Sequence, residues 1–271
     1  MRLSIRHTTH YLFSQPAAHG LQRLRLRPKC SHGQKVLDWR MELSGGVRQV
    51  EYEDHNCTSA LLVSVEPGAQ EVAVTCTGTV ETADNAGVIG HHSGSMPLWA
   101  FLAQTPLTRP GPRMRALVQA LEADRADRLG LLHALSGAVL EIMRYEIGHT
   151  DATTPAEEAL SAGVGVCQDH AHVFIGAARL LGVPARYVSG YLMMDDRIDQ
   201  EAGHAWAEAH VDGLGWVGFD ISNGISPDAR YVRVASGRDY GEAAPVTGIS
   251  YGAGEAELAV RLAVEQQVTG Q

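Results

Sequence analysis

Cys167, His204 and Asp220 are residues of types and in an order that suit nucleophilic catalysis. Cys167 stands in "GVGVCQDHAHVF" (163–174), at the expected first turn of a helix. Unpaired backbone N–H groups and the positive end of the helix dipole converge there. Such a setting favours thiolate over thiol, and a cysteine pKa of about 8.5 can fall to about 3.5–7.5 in comparable places. Gly163 and Gly165 are expected to leave room for a substrate backbone. A nucleophile needs a base, and the base needs an orienting group. His204 in "GHAWAEAHV" and Asp220 in "GWVGFDISNG" follow in chain order. Both stretches read as strands, joined by Asp212-Gly213-Leu214-Gly215. In ordinary hairpin register the carboxylate reaches the imidazole and holds its tautomer, while the other ring nitrogen faces the sulfur.

Other readings of the same segment stand beside this one. A buried cysteine is often an inert small hydrophobe. Cys167, His170, His172 and His204 are zinc-ligand types, but positions 170 and 172 point in different directions on a helix, and zinc would consume the thiolate. No metal and no cofactor are therefore expected, and no oxygen-rich loop of the D-x-D-x-D-G kind suggests calcium. His172 is expected to hydrogen-bond inside the fold. Asp169 is expected to cap first-turn amides and face away from the sulfur, where its charge would oppose a thiolate. Trp206 and Trp216 read as buried packing, and Glu208 and His210 as a wet strand face. Cys30, Cys57 and Cys76 read as structural or incidental.

The elements that must position these residues follow from periodicity. Residues 1–85 alternate apolar and polar, as in "RLSIR" and "EVAVTCTGTVET", which fits antiparallel strands of a β-sandwich. Arginines 23, 25 and 27 could form an anion-binding stripe, but the alternation favours a solvated face for them. The Gly-, Ser- and Pro-containing stretch "DNAGVIGHHSGSMPLW" interrupts the pattern, giving an N-terminal β-domain over 1–90 and a second domain over 91–271. From about 98 to 185 the period is helical. Thr154-Pro155-Ala156-Glu157 predicts a helix start, with Thr154 as cap and Glu157 placed for a capping box. That helix stops at Gly163. The next runs from near Cys167 to Gly182, with Pro184 beyond. The runs "ARYVSGYLM", "HAWAEAHV", "GWVGFDI" and "RYVRVA" then predict strands, so the fold class is α+β. The Ala- and Gly-rich tail after 241 is expected to be partly loose.

The composition of the 271 residues, 45% hydrophobic and 20% charged, is that of a globular chain. A formal net charge of -9 argues against nucleic acid as a partner. The four cysteines form no C-x-x-C pair, which points to a reducing compartment. The segment "MRLSIRHTTHYLF" lacks the character of a signal peptide, and no run approaches about 20 apolar residues, so a cytoplasmic protein without membrane contact is expected. Nothing in the composition excludes a homo-oligomer.

Taken together, the blocks "RLSIRHTTHYLFSQPA", "TPAEEALSAGVGVCQDHAHVFIGAARLLGVPARYVSGYL", "HAWAEAHVDGLGWVGFDISNG" and "RYVRVASGRDY" resemble the transglutaminase-like superfamily of papain-type cysteine enzymes. Within it the likeness is to bacterial members that carry an N-terminal β-domain. The resemblance implies a papain-like core behind a β-sandwich, with Cys167 as nucleophile, His204 as general base and acid, and Asp220 as orienting carboxylate. It departs from the family pattern at Ile221, Ser222 and His170. The implied activity is acyl transfer from peptide or isopeptide amides through a thioester, on a peptide or protein substrate. Hydrolysis is favoured over amine transfer, since water wins unless an acceptor pocket excludes it. A catalytically silent peptide-binding module is the alternative of another class.

Overall fold

The computed structural model describes residues 1–267. Seven strands come first: β1 (Arg2–Phe13), β2 (His19–Leu24), β3 (Gln34–Ser44), β4 (Gly46–Glu53), β5 (Ser59–Val65), β6 (Glu71–Thr82) and β7 (Val88–Gly90). A 3-10 turn at Leu98–Leu102 leads into α1 (Pro112–Ala120), α2 (Arg128–Ile142), β8 (Arg144–Tyr145), α3 (Ala156–Ala162), β9 (Val164–Gly165) and α4 (Cys167–Leu180). The chain then runs through β10 (Ala185–Leu192), β11 (Asp199–Gln200), β12 (His204–Val211), β13 (Gly215–Phe219), β14 (Tyr231–Gly237), α5 (Tyr240–Ala243), β15 (Val246–Tyr251) and β16 (Ala256–Gln266). The result is the α+β architecture that the periodicity predicts. No helix among the described residues is long and apolar enough to cross a membrane.

Three larger sheets organise the described residues, beside the short parallel pair β8-β9. One has the order β11-β16-β1-β6-β3, a second β15-β2-β5-β4, and a third β14-β10-β12-β13-β7. The first two form the N-terminal sandwich: Leu24, Leu26, Leu61 and Val63 of one side bury against Val74 and Cys76 of the other. The alternation read from the sequence supplies this inward face.

The sheets do not divide the chain at residue 90. β15 pairs with β2 from Val246↔Leu24 onward, and β16 pairs with β1 along its whole length, from Leu3↔Gln266 to Phe13↔Ala256. The segment expected to be a partly loose tail is thus, through residue 266, an integral part of the sandwich. Its alternating side chains fill open edges of both sheets and satisfy their backbone groups. Conversely, β7 joins the third sheet beside β13. Sandwich and third sheet meet through Leu3, Ile5, Val80, Leu262 and Val264 on one side and Tyr191, Met193, Val232 and Val234 on the other.

Helices α1 to α4 cover the opposite face of the third sheet. Ala205, Ala207 and Ala209 of β12 lie under them with Phe174, Ile175 and Ala178 of α4. Small alanines let the helix come close. At Gly176 even a methyl group would stand 2.3 Å from the Thr108 carbonyl oxygen. Arg179 pins the helix end: it donates to the carbonyls of Phe101, Ala185 and Arg238 and to Thr108 Oγ1. A buried guanidinium so fully bonded holds α4 in register with the sheet.

Three local expectations need correction. Glu157 does not box its own helix, whose N-cap is Pro155. It caps α1 instead, accepting from the backbone N–H groups of Gly111, Arg113 and Met114. Glu208 is fully buried, because the face it shares with Trp206 is covered by the N-terminal region. His210 is only partly exposed and sits edge-on to Trp216. Arg25 is likewise buried, paired with Asp54 at 3.2 Å, while Arg23 and Arg27 are exposed.

Candidate active site

The β12–β13 hairpin sets the first pair. Its register matches Ala207 with Phe219, and continuing the ladder puts Asp220 level with Trp206, one same-face step from His204. The His204 ring closes that step: its Nε2 donates to Asp220 Oδ2 at 2.6 Å, leaving Nδ1 for another partner. Asp220 is completely buried and collects further donors. Tyr231 OH and Asn223 Nδ2 reach Oδ2, each at 2.7 Å, and Ser222 Oγ reaches Oδ1 at 2.8 Å. Burial works against the carboxylate charge, but these donors and the His204 cation hold its pKa down at about 2. For His204, burial again opposes charge. The hydrogen bond to the Asp220 carboxylate, with the neighbouring Cys167 sulfur next, outweighs it and pushes the imidazole up to about 10. The ring is therefore an imidazolium near neutrality, nearly parallel to Trp206 at 6.3 Å and flanked by Tyr231 at 6.0 Å.

Cys167 is the first residue of α4, where the sequence predicts the helix to start, and it is partly exposed. The two glycines also serve the chain's own turns. Gly163 adopts φ 69° to end α3. A side chain on Gly165 would come within 2.7 Å of the Asp169 Cβ. That clearance lets Asp169 fold back, accepting from Val166 N at 2.8 Å and Thr150 Oγ1 at 2.7 Å. Asp169 thus braces the turn before Cys167. His170 lies between the carbonyl oxygens of Val166 and Met143, at 2.9 and 3.1 Å. His172 accepts from Tyr240 N at 3.1 Å, and burial followed by the Arg179 charge lowers it to about 3, so it is neutral. Both histidines are thus engaged inside the fold rather than gathered around the sulfur. Among the described residues, no group of three or more His, Cys, Asp or Glu is arranged to hold a metal ion.

Cys167 and His204 open into one cavity of about 270 Å³. Its walls are largely apolar and come from both parts of the molecule: Val234 from the third sheet, and Tyr11, Val246, Leu258 and Val260 from the sandwich. Tyr187 lines it too. Burial first, and then the nearby Cys167 charge, raise its pKa well above the ordinary phenol value, so it stays an O–H donor. Among the described residues that hydroxyl has no hydrogen-bond partner.

Sequence reasoning named Cys167, His204 and Asp220, and the structure brings His204 and Asp220 into contact and puts Cys167 on the same cavity. It missed Tyr187, Asn223 and Tyr231. The "SNG" turn after Asp220 carries a local signal for Asn223, since turn-forming Asn and Ser bond back to a preceding carboxylate. Tyr231 and Tyr187 carry none, because each arrives from another strand.

Two family models match the chain. The transglutaminase-like superfamily covers residues 115–221, and the bacterial transglutaminase-like N-terminal region covers residues 3–81. The first span includes Cys167, His204 and Asp220. An uncharacterized protein of Mycobacterium leprae is 28% identical over 277 residues, 96% of each chain. An uncharacterized Mycobacterium bovis protein is 38% identical over 131 residues, 45% of this chain and 42% of that one. The crystal structure of a candidate cysteine protease from Cytophaga hutchinsonii is similar in fold, with TM-score 0.76 at 20% identity, across 100% of this chain and 92% of that one.

Proposed function

From a chain that belongs to the transglutaminase-like superfamily, with the bacterial N-terminal region ahead of its core, we propose a cysteine-dependent acyl transfer on peptide or isopeptide amides. The reading rests above all on the buried His204–Asp220 pair, which keeps a protonated imidazole beside Cys167 at the end of a helix. Cys167 sulfur bonds to the amide carbonyl carbon and the carbonyl oxygen becomes an oxyanion. His204 gives its proton to the departing amine as the C–N bond breaks. Water then attacks the thioester, His204 takes the water's proton, and the sulfur leaves. The first-turn N–H of Cys167 is one oxyanion donor, and the Tyr187 hydroxyl is the second. The apolar cavity suits a substrate with an apolar side chain next to the reacting carbonyl. All four cysteines are free thiols, which suits action in the reducing cytoplasm.

Incubation with a glutamine-containing peptide and a primary amine tests the reaction. Cys167-dependent hydrolysis in excess of amine incorporation supports the reading; amine incorporation in excess makes the acceptor an amine. A thiol probe near neutral pH separates an enzyme from a silent peptide-binding module. Rapid labelling of Cys167, slowed by His204→Ala, supports the enzyme, whereas equal labelling of all four cysteines overturns it.

A further inference from the structure

The face of the third sheet turned away from α4 holds a polar cluster that the proposed reaction does not use. Glu208 of β12 is fully buried there. Arg186 of β10 donates from Nε to its Oε2 at 2.6 Å. Arg233 of β14 donates from Nε to Oε1 at 2.6 Å and from its Nη2 to Oε2 at 3.1 Å. Two guanidinium groups thus share one carboxylate. Lys29 adds a third cation. Its Nζ donates to Asn56 O at 2.6 Å and Ser236 Oγ at 3.2 Å, both neutral acceptors, and its remaining N–H has no partner among the described residues. The nearby Asp54 is already held by Arg25. Crowding of like charge shows at Lys29. Burial first, then Arg233 and Arg186, bring its ammonium down to about 7 against the opposing pull of Glu208 and Asp54.

These cations face a cavity of about 660 Å³ between the sheet and the segments 27–39 and 53–59 of the N-terminal region. Arg186 and Arg233 line it from the sheet, and Lys29 lines it from the opposite segment. The Arg186 guanidinium lies over the Trp216 ring at 3.9 Å, which fixes its plane. Only Nε of Arg186 is engaged by protein, and Nη1 of Arg233 is unengaged, among the described residues. Two carboxylates, Asp38 and Glu53, also border the cavity, but at exposed positions. A buried excess of cations without a partner is costly, and planar N–H forks match the spacing of oxyanion oxygens.

We propose that this cavity binds a phosphate group, held by the unengaged guanidinium edges of Arg186 and Arg233 and by the Lys29 ammonium. Two guanidinium groups set against one carboxylate leave one positive charge, and Lys29, protonated as the anion binds beside it, supplies a second, so that a dianion is neutralised. The site stands apart from the Cys167 chemistry and does not depend on it.

Calorimetric titration of the full chain at constant ionic strength, with inorganic phosphate, phenyl phosphate and acetate, tests the proposal. Saturable one-to-one phosphate binding, with acetate weaker and the arginine Nε resonances of Arg186 and Arg233 displaced in nitrogen spectra, supports it. Phenyl phosphate binding more tightly than inorganic phosphate identifies an organic ester as the source; equal affinity identifies the free anion. Lys29→Met is expected to weaken binding about tenfold, the scale of one charge-assisted hydrogen bond, and Lys29→Arg to restore it. The proposal is overturned if neither phosphate binds saturably and the guanidinium resonances stay still. Binding that is unchanged in Lys29→Met overturns it as well, and the resonances of the unaltered chain decide the matter should that variant fail to fold.

Discussion

At Asp220 five donor groups from four residues, His204, Ser222, Asn223 and Tyr231, converge on two oxygens, and that convergence dictates how the site responds to pH. The Asp220 carboxylate is depressed to about 2, so its contribution to stability is complete above the ordinary carboxylate range and lost as pH falls through about 2. The His204 imidazole is raised to about 10, so its contribution is complete below about 6.5 and lost as pH rises through about 10. The pair is ionic between those limits. Asp220→Asn removes the negative charge that sustains the imidazolium. The alkaline limb of the pH–rate profile is expected to move to lower pH, with kcat falling by about 10²–10⁴-fold. A limb that stays in place would separate His204 ionisation from Asp220. Tyr187→Phe deletes the hydroxyl assigned to the oxyanion. A loss of about 10²–10³-fold in kcat at nearly constant KM is expected, and an unchanged kcat removes Tyr187 from that role.

The element that organises the site is β12. Its odd positions, Ala205, Ala207 and Ala209, form a shallow bed for α4, and its even positions carry His204, Trp206 and Glu208 on the other face. From periodicity alone, "HAWAEAHV" resembles a strand with one wet face, because Glu and His alternate with alanine. The wet face is in fact enclosed, and Glu208 survives there because Arg186 of neighbouring β10 and Arg233, reaching across from β14, both bond its carboxylate. Glu208→Ala leaves two buried guanidinium groups without their shared carboxylate. A loss of about 3–5 kcal/mol in unfolding free energy, read from urea denaturation, is expected. Near-zero loss would mean that the layer is already open to water.

At the scale of the whole molecule, the sandwich and the third sheet share both the cavity at Cys167 and the polar cavity behind β12. The wall that faces the sulfur includes Leu258 and Val260 of β16, a strand that returns to β1 from the far end of the chain. Half-exposed Leu258 can be altered without opening the core. Leu258→Glu places a charge on an apolar wall. KM for peptides with apolar side chains is expected to rise about tenfold with kcat little changed. If KM is insensitive, substrates do not touch this wall, and the N-terminal region only braces the core.

What the amino-acid order determined is local in origin. Gly163 ends one helix and Cys167 opens the next, the turn at 212–215 makes a hairpin, and that hairpin brings Asp220 near His204, since caps, turns and two-residue alternation act over a few residues. Tertiary structure alone decided which polar faces are covered. Whether Glu208 is wet or buried, whether Tyr231 reaches Asp220, and whether residues 246–266 are tail or sandwich depends on pairings such as Leu3↔Gln266. Such pairings join residues that no short-range pattern relates, and burial is a property of what arrives on the other side.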